Sequence, residues 1–227
     1  MDIHKPKPWR GWPEFLKEIG TIVVSILIAI GLEQLVEQIH WRNEVAAART
    51  AMAAEIADNN RVFAYRVAAG PCISERLNLI EAFAERAARH EAVPRLGVVM
   101  PDTGAALSDN VWEAHRASQT LTHFDNETLA LLSTYYQEVG YSRLGMTQES
   151  DSQAALRIMQ GDPSRLRESD ISAIRIALQR ARSVGAVLES IARQEIETSK
   201  RLHIAIPSPD ASRLRAVCQQ IPAAAAS

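Results

Sequence analysis

Residues Ile19–Leu32 (IGTIVVSILIAIGL) form the longest uncharged apolar run in the chain, and three of its four tryptophans flank that run. Trp9 and Trp12 lie before it and Trp41 after it. Trp12 to Trp41 spans about 43 Å as a helix, at 1.5 Å per residue. That matches the ~40–45 Å of a bilayer with its headgroups, where aromatic belts sit. The expectation is a single membrane anchor marked by Trp12, Ile19, Leu32 and Trp41. Two competitors remain, because fourteen clean residues cover only about 21 Å of a ~30 Å hydrocarbon core. One is a cleaved signal peptide, although the following GLEQLVEQIHW is bulky and charged and offers no small-residue cleavage site. The other is a buried core helix.

The flanks set an orientation. Lys5, Lys7, Arg10 and Lys17 precede the run, against Arg42 and Arg49 in the comparable stretch after it. Lys and Arg near a span stay on the cytoplasmic side. The N-terminus is therefore expected in the cytoplasm and the rest of the chain in the periplasm. No output domain or second span follows in the sequence, so a sensor built this way would have to signal through a partner.

Removing the anchor leaves about 185 of 227 residues, enough for one domain with a sizeable core. A net charge of −2 argues against nucleic acid, which needs a basic face to release counterions. The pattern is helical throughout. Between Glu14 and Ala69 there is no proline, and AAARTAMAAEIA (46–57) is dense in the best helix former. Gly70-Pro71 is expected to stop that helix and to open the next, where Ile73, Leu77, Ile80, Phe83, Ala84 and Ala87 recur at three and four residues.

A long loop is expected from His90 to Ser108, with helices restarting near Ser108–Asn110, at Asp125 and at Ser169, and a last one at Ser208-Pro209. The organisation is thus an all-α chain: leader 1–13, transmembrane anchor 14–41, helical stalk 42–70, helical bundle 71–221 and a loose alanine tail 222–227.

Two blocks carry a family resemblance. KPWRGWPEFLKEIGTIVVSILIAIGLEQLVEQIHWR and DNVWEAHRASQTLTHFDNETLALLSTYYQEV resemble an uncharacterised family of bacterial single-pass membrane proteins. Its shared features are a basic Trp-containing leader, a short Ile/Gly-rich span, a Trp helix and a Tyr-pair helix. The resemblance covers roughly a third of the chain. It implies a membrane-anchored helical protein and brings no catalytic residues with it.

Catalytic signatures are lacking. The sequence holds no P-loop, GxGxxG, HExxH or CxxC, and its six histidines are scattered. His123 with Asp125 makes two ligands, which is not a zinc site. The reading is a protein that is not an enzyme, binds no cofactor, and acts on a lipid bilayer and another membrane protein or a second copy of itself. An accessory or scaffold subunit of an inner-membrane assembly leads, with a periplasmic ligand-sensing module as the alternative and an enzyme of unrecognised type behind it.

Three features suit binding. Thr21, Ser25, Ala29 and Glu33 recur every four residues along the span, a spacing that lets helices approach closely in lipid. Trp112, Tyr135 and Tyr136 either line a pocket or pack an ordinary core. The alanine-rich 46–57 segment packs either on a partner or within its own domain. Cys72 and Cys218, the only cysteines, form a disulfide if the domain is exported; two free buried thiols are the alternative. The ridge is testable: Ser25→Leu with Ala29→Leu should weaken association in a membrane two-hybrid assay, whereas Val24→Leu with Ile28→Leu should not. Equal behaviour of the two pairs would reduce the ridge to residues merely tolerated in lipid.

Overall fold

A computed structural model describes residues 11–101, 106–219 and 221. Leader residues Lys5, Lys7, Trp9 and Arg10 and the tail 222–227 lie outside the described residues. Five α-helices carry the chain: α1 (Trp12–Ala88), α2 (Asn110–Ala117), α3 (Asn126–Leu156), α4 (Glu168–Arg201) and α5 (Ala211–Cys218). Short 3-10 turns at Thr120–His123, Arg157–Gln160 and Pro163–Arg165 join them. The described residues form no strand, and the chain is all-α. It divides into two compact units, residues 1–47 and 48–227.

The first unit is helical from Trp12 onward, and among the described residues α1 is the one helix long and apolar enough to cross a membrane. No residue in its apolar window is buried. Ile22, Val23, Val24, Ile26, Leu27, Ile28 and Ile30 are all exposed, and successive 100° steps spread them over every face.

The second unit begins on α1 and contradicts the expected helix stop. Pro71 lies inside α1, which runs on to Ala88. An interior proline deletes one i→i−4 hydrogen bond and crowds the preceding turn, at about 3 kcal/mol. Tertiary packing on both sides of Pro71 outweighs that cost. Ala69 and Ile73 are buried in one core together with Leu77, Ile80 and Ala84 of α1 and Ile171, Ile174, Leu178 and Ala181 of α4. Of the stretch 42–70, expected as a stalk, residues 48–70 belong to the second unit. Ala48, Met52, Ile56, Phe63 and Ala69 are buried within the second unit.

Helix starts follow local chemistry in part. Asp125 caps α3 by accepting from the Thr128 N–H, and Asp210 caps α5 through Ser212 and Arg213 N–H. The last helix thus starts at Ala211, with its cap two residues beyond the Ser208 cap expected from Ser-Pro, because the Asp210 carboxylate reaches two amides at once. At α2, Asp109 makes no side-chain cap bond. Glu55 of α1 supplies it instead, accepting from Val111 N–H (3.1 Å) and Ser108 hydroxyl (2.7 Å).

Two devices fix the C-terminal helix. Cys72 and Cys218 are disulfide-bonded, with Cα atoms 4.9 Å apart and a sequence separation of 146. Beside them, Arg76 is buried and spends its whole guanidinium on backbone carbonyls. It donates to Val217 (3.2 Å), Ala216 (3.3 Å) and Gln219 (2.6 Å) around the end of α5. It also donates to Val98 and Val99, both at 3.0 Å, in the irregular segment after α1. Closing a loop of this length contributes about 5 kcal/mol in the chain-entropy model. Deleting Arg76 leaves buried carbonyls without their donor, at about 1–3 kcal/mol for each one left unsatisfied. Because both hold α5, Cys218→Ser and Arg76→Ala should destabilise by less together than the sum of the two alone. A urea-unfolding double-mutant cycle on the purified chain measures this; strict additivity would show that the two act on separate segments.

Candidate functional site

The residues proposed for binding separate into different surroundings. Thr21, Ser25, Ala29 and Glu33 are all exposed on α1. The Thr21 hydroxyl donates to Lys17 C=O (2.9 Å) and the Ser25 hydroxyl to Thr21 C=O (2.8 Å). Both are satisfied within their own helix, so neither needs a partner chain. Trp12 is exposed, and Trp41 Nε1 donates to Glu37 at 3.5 Å.

Trp112, Tyr135 and Tyr136 are buried together. Trp112 stacks on Tyr136 with ring centres 4.9 Å apart and 16° between planes. Tyr135 meets Tyr136 (5.4 Å) and Phe63 (6.2 Å) edge to face. All four are buried. The rings fill their own volume because edge-to-face and offset contacts are favourable without a guest.

Around these rings lies a polar layer that the linear sequence did not reveal. Tyr136 Oη donates to Glu55 (2.9 Å), whose other oxygen caps α2. Asn59 holds the Ser108 backbone at both ends, donating to its C=O (2.7 Å) and accepting from its N–H (2.9 Å). Asn60 accepts from the Ser199 hydroxyl (3.0 Å) and donates to Ala205 C=O (3.3 Å). One stretch of α1, Glu55–Asn60, therefore docks the approach to α2 and the segment after α4. Burial and the Glu55 carboxylate push the Tyr136 hydroxyl far above its ordinary range.

Glu195 of α4 is the unpaired member. It is fully buried, and neither carboxylate oxygen has a hydrogen-bond partner. Burial, and secondarily the charge of Glu138, pushes its carboxyl up to about 8. At neutral pH it is chiefly the protonated acid. A largely buried ion pair joins α1 to α3: Arg66 Nη1 meets Glu149 at 2.6 Å, and Nη2 donates to Gly185 C=O of α4 at 3.1 Å.

A cleft of about 510 Å³ borders the cluster at Phe63 and is lined further by Ile73, Met146 and Leu188. Trp112, Tyr135 and Tyr136 take no part in it. The signal that could have found it is weak: Tyr65, Arg66 and Ser142 are ordinary helix residues until α1 and α3 are brought together. Among the described residues no group of three or more His, Cys, Asp or Glu side chains gathers as a metal site. No known protein family, characterised protein or solved structure matches the chain.

The Glu195 environment predicts a pH dependence. Its folded pKa of about 8 lies above the ordinary 4.5, so between these values the folded state binds more protons than the unfolded state. Stability from this group is complete below about 4.5 and is lost as pH rises through about 8. The full swing is on the order of 4–5 kcal/mol, at 1.36 kcal/mol per pKa unit. Glu195→Gln should flatten this decline and make the variant the more stable protein at alkaline pH. Urea midpoints measured across the range test it; parallel curves for variant and parent would show that Glu195 is already paired.

Proposed function

We propose that this protein is a membrane-tethered helical bundle that acts by interaction rather than catalysis, as an accessory or scaffold subunit of an inner-membrane assembly. The observation that carries the reading is the segment around Ile19–Leu32, apolar on all faces and buried against nothing in the protein. A helix that is apolar all round is stable in a protein core or in lipid, and this one has no core around it. Its backbone groups are satisfied within the helix, as a hydrocarbon environment requires.

Three further points support the tether and its direction. Lys17 and Glu18 close the apolar run at one end and Glu33 at the other, which places charge at both ends rather than inside. The excess of Lys and Arg before the run favours a cytoplasmic N-terminus. A disulfide between Cys72 and Cys218 suits the oxidising periplasm and not a reducing cytosol. The resemblance of the leader and span to bacterial single-pass membrane proteins favours the same arrangement. The reading of interaction over chemistry rests on a second unit whose buried polar groups hold segments of the chain in place.

Two measurements test the tether. A reporter active only in the periplasm, fused after Ser227, should be active; activity of a cytoplasmic reporter alone overturns the orientation. Leu27→Arg with Ile28→Arg places two charges at the helix centre, at about 2.5–3.5 kcal/mol each on insertion scales. The parent chain should remain in the membrane pellet after an alkaline carbonate wash, and the double variant should move to the soluble fraction. A parent chain that washes off is not an integral membrane protein.

A further inference from the structure

The cleft of about 510 Å³ draws its walls chiefly from α1 and α3, with Pro101 from the irregular segment after α1. α3 brings one helical face to it. Arg143, Met146, Thr147, Ser150 and Asp151 stand at i, i+3, i+4, i+7 and i+8, the spacing of neighbours on one side of a helix, and all five line the cleft. None of the five is fully buried: Met146 is half-buried and the other four are exposed. Val62 and Pro101 are half-buried as well, so the cleft keeps apolar surface that a guest can cover. Its volume lies within the ~300–1,000 Å³ of ordinary small-molecule sites.

Charge narrows the class of guest. Among the described residues, four charged side chains line the cleft: Arg66, Arg143, Glu149 and Asp151. Arg66 and Glu149 neutralise each other in a largely buried pair at 2.6 Å. Arg143 is drawn away by Asp109, which does not line the cleft and accepts from both ends of its fork. Asp151 makes neither an ion pair nor a side-chain hydrogen bond among the described residues. One negative charge is therefore left uncompensated beside apolar wall. An anionic guest would be repelled there, and a neutral one would leave the carboxylate unanswered. A metal ion asks for more donors than one carboxylate supplies, and no group of three or more His, Cys, Asp or Glu gathers among the described residues.

We propose that this cleft binds a small organic monocation, an ammonium whose apolar body lies against Val62, Pro101 and Met146 and whose nitrogen pairs with Asp151. The site lies within residues 48–227 and depends on neither the tether nor the scaffold reading. An exposed ion pair is weak by itself, so apolar contact supplies most of the affinity and Asp151 selects the sign of the charge.

The test uses the full chain, labelled with ¹³C at its methionine methyl groups, in nanodiscs of zwitterionic phosphatidylcholine and low-salt buffer. NMR titrations compare 3-phenylpropylammonium with 4-phenylbutan-2-one and 3-phenylpropanoate, which share an apolar body and differ in the head. The ammonium should shift the Met146 methyl with a Kd in the millimolar range. Met52 and Met159, buried and outside the cleft lining, should hold still. The ketone should bind at least threefold more weakly and the carboxylate at least tenfold more weakly. Asp151→Asn should bring the ammonium down to the affinity of the ketone. Glu127→Gln removes an exposed acid of the same helix outside the cleft lining, and should leave the preference intact. No shift at Met146 with the ammonium, equal affinities for the three probes, or a preference that survives Asp151→Asn overturns the proposal. Equal loss in the two variants also overturns it, because the preference would then come from the overall charge of the domain and not from Asp151.

Discussion

Arg76 donates five hydrogen bonds to carbonyls of two segments that have no regular hydrogen-bond ladder between them, and much of the domain's closure depends on it. The end of α5 and the residues Val98–Val99 meet at this one guanidinium. Burial lowers the Arg76 pKa from its ordinary value, yet the group remains a cation in any accessible range. Carbonyl dipoles take the place of a carboxylate, and the planar fork suits this because its five N–H vectors are fixed. The nearby Cys72–Cys218 bond acts on the same segment by a different route, restricting the unfolded chain rather than adding contacts to the folded one. Leu96, Val99, Met100 and Val217 complete the arrangement as core residues contributed by irregular or short elements.

The same logic recurs along α1. Glu55, Asn59 and Asn60 sit within two turns and hold pieces of chain 49 to 145 residues away. Side chains of one long helix thus replace the missing secondary structure of the connections. The polar layer is not wholly satisfied: Glu195 enters it as a buried acid with no partner, where a leucine would have packed without cost in charge. The residue stays neutral because ionisation would leave a charge without a counter-ion in the interior. Protonation state and stability are therefore coupled in this domain.

Residues 16–40 of α1 obey a different rule. There the apolar side chains are not gathered on one face, and the helix presents them all outward. Propensity and internal hydrogen bonding are enough to make such a helix, since lipid asks only that the backbone be satisfied and the surface apolar. The second unit needs a one-sided face instead. On α4 the buried stripe runs through Ile171, Ile174, Leu178, Ala181 and Leu188. Past Leu188 it moves to Ala192, Glu195 and Ser199, while Ile191 and Ile196 are only partly buried. The apolar stripe drifts because that end of the helix faces the polar layer and not the main core.

What the sequence by itself determined is local. The helical class, the apolar run at Ile19–Leu32, the Asp125 cap, the restart at Asn110 and the Ile73–Leu77–Ile80–Ala84 face all follow from composition, capping chemistry and a 3.6-residue period. Each depends on residues within a turn or two of one another. What only the tertiary structure decided involves partners far apart in the chain. Pro71 stays inside α1 because packing around Ala69 and Ile73 outweighs a local penalty that reads as a stop. Glu55 caps α2 across 56 residues, a bond no short-range rule foresees. The Trp112–Tyr136 pair closes into core, and the cleft opens beside Tyr65 and Ser142 instead. Residue type sets which groups want partners; only the approach of α1, α3 and α4 decides which of them go without.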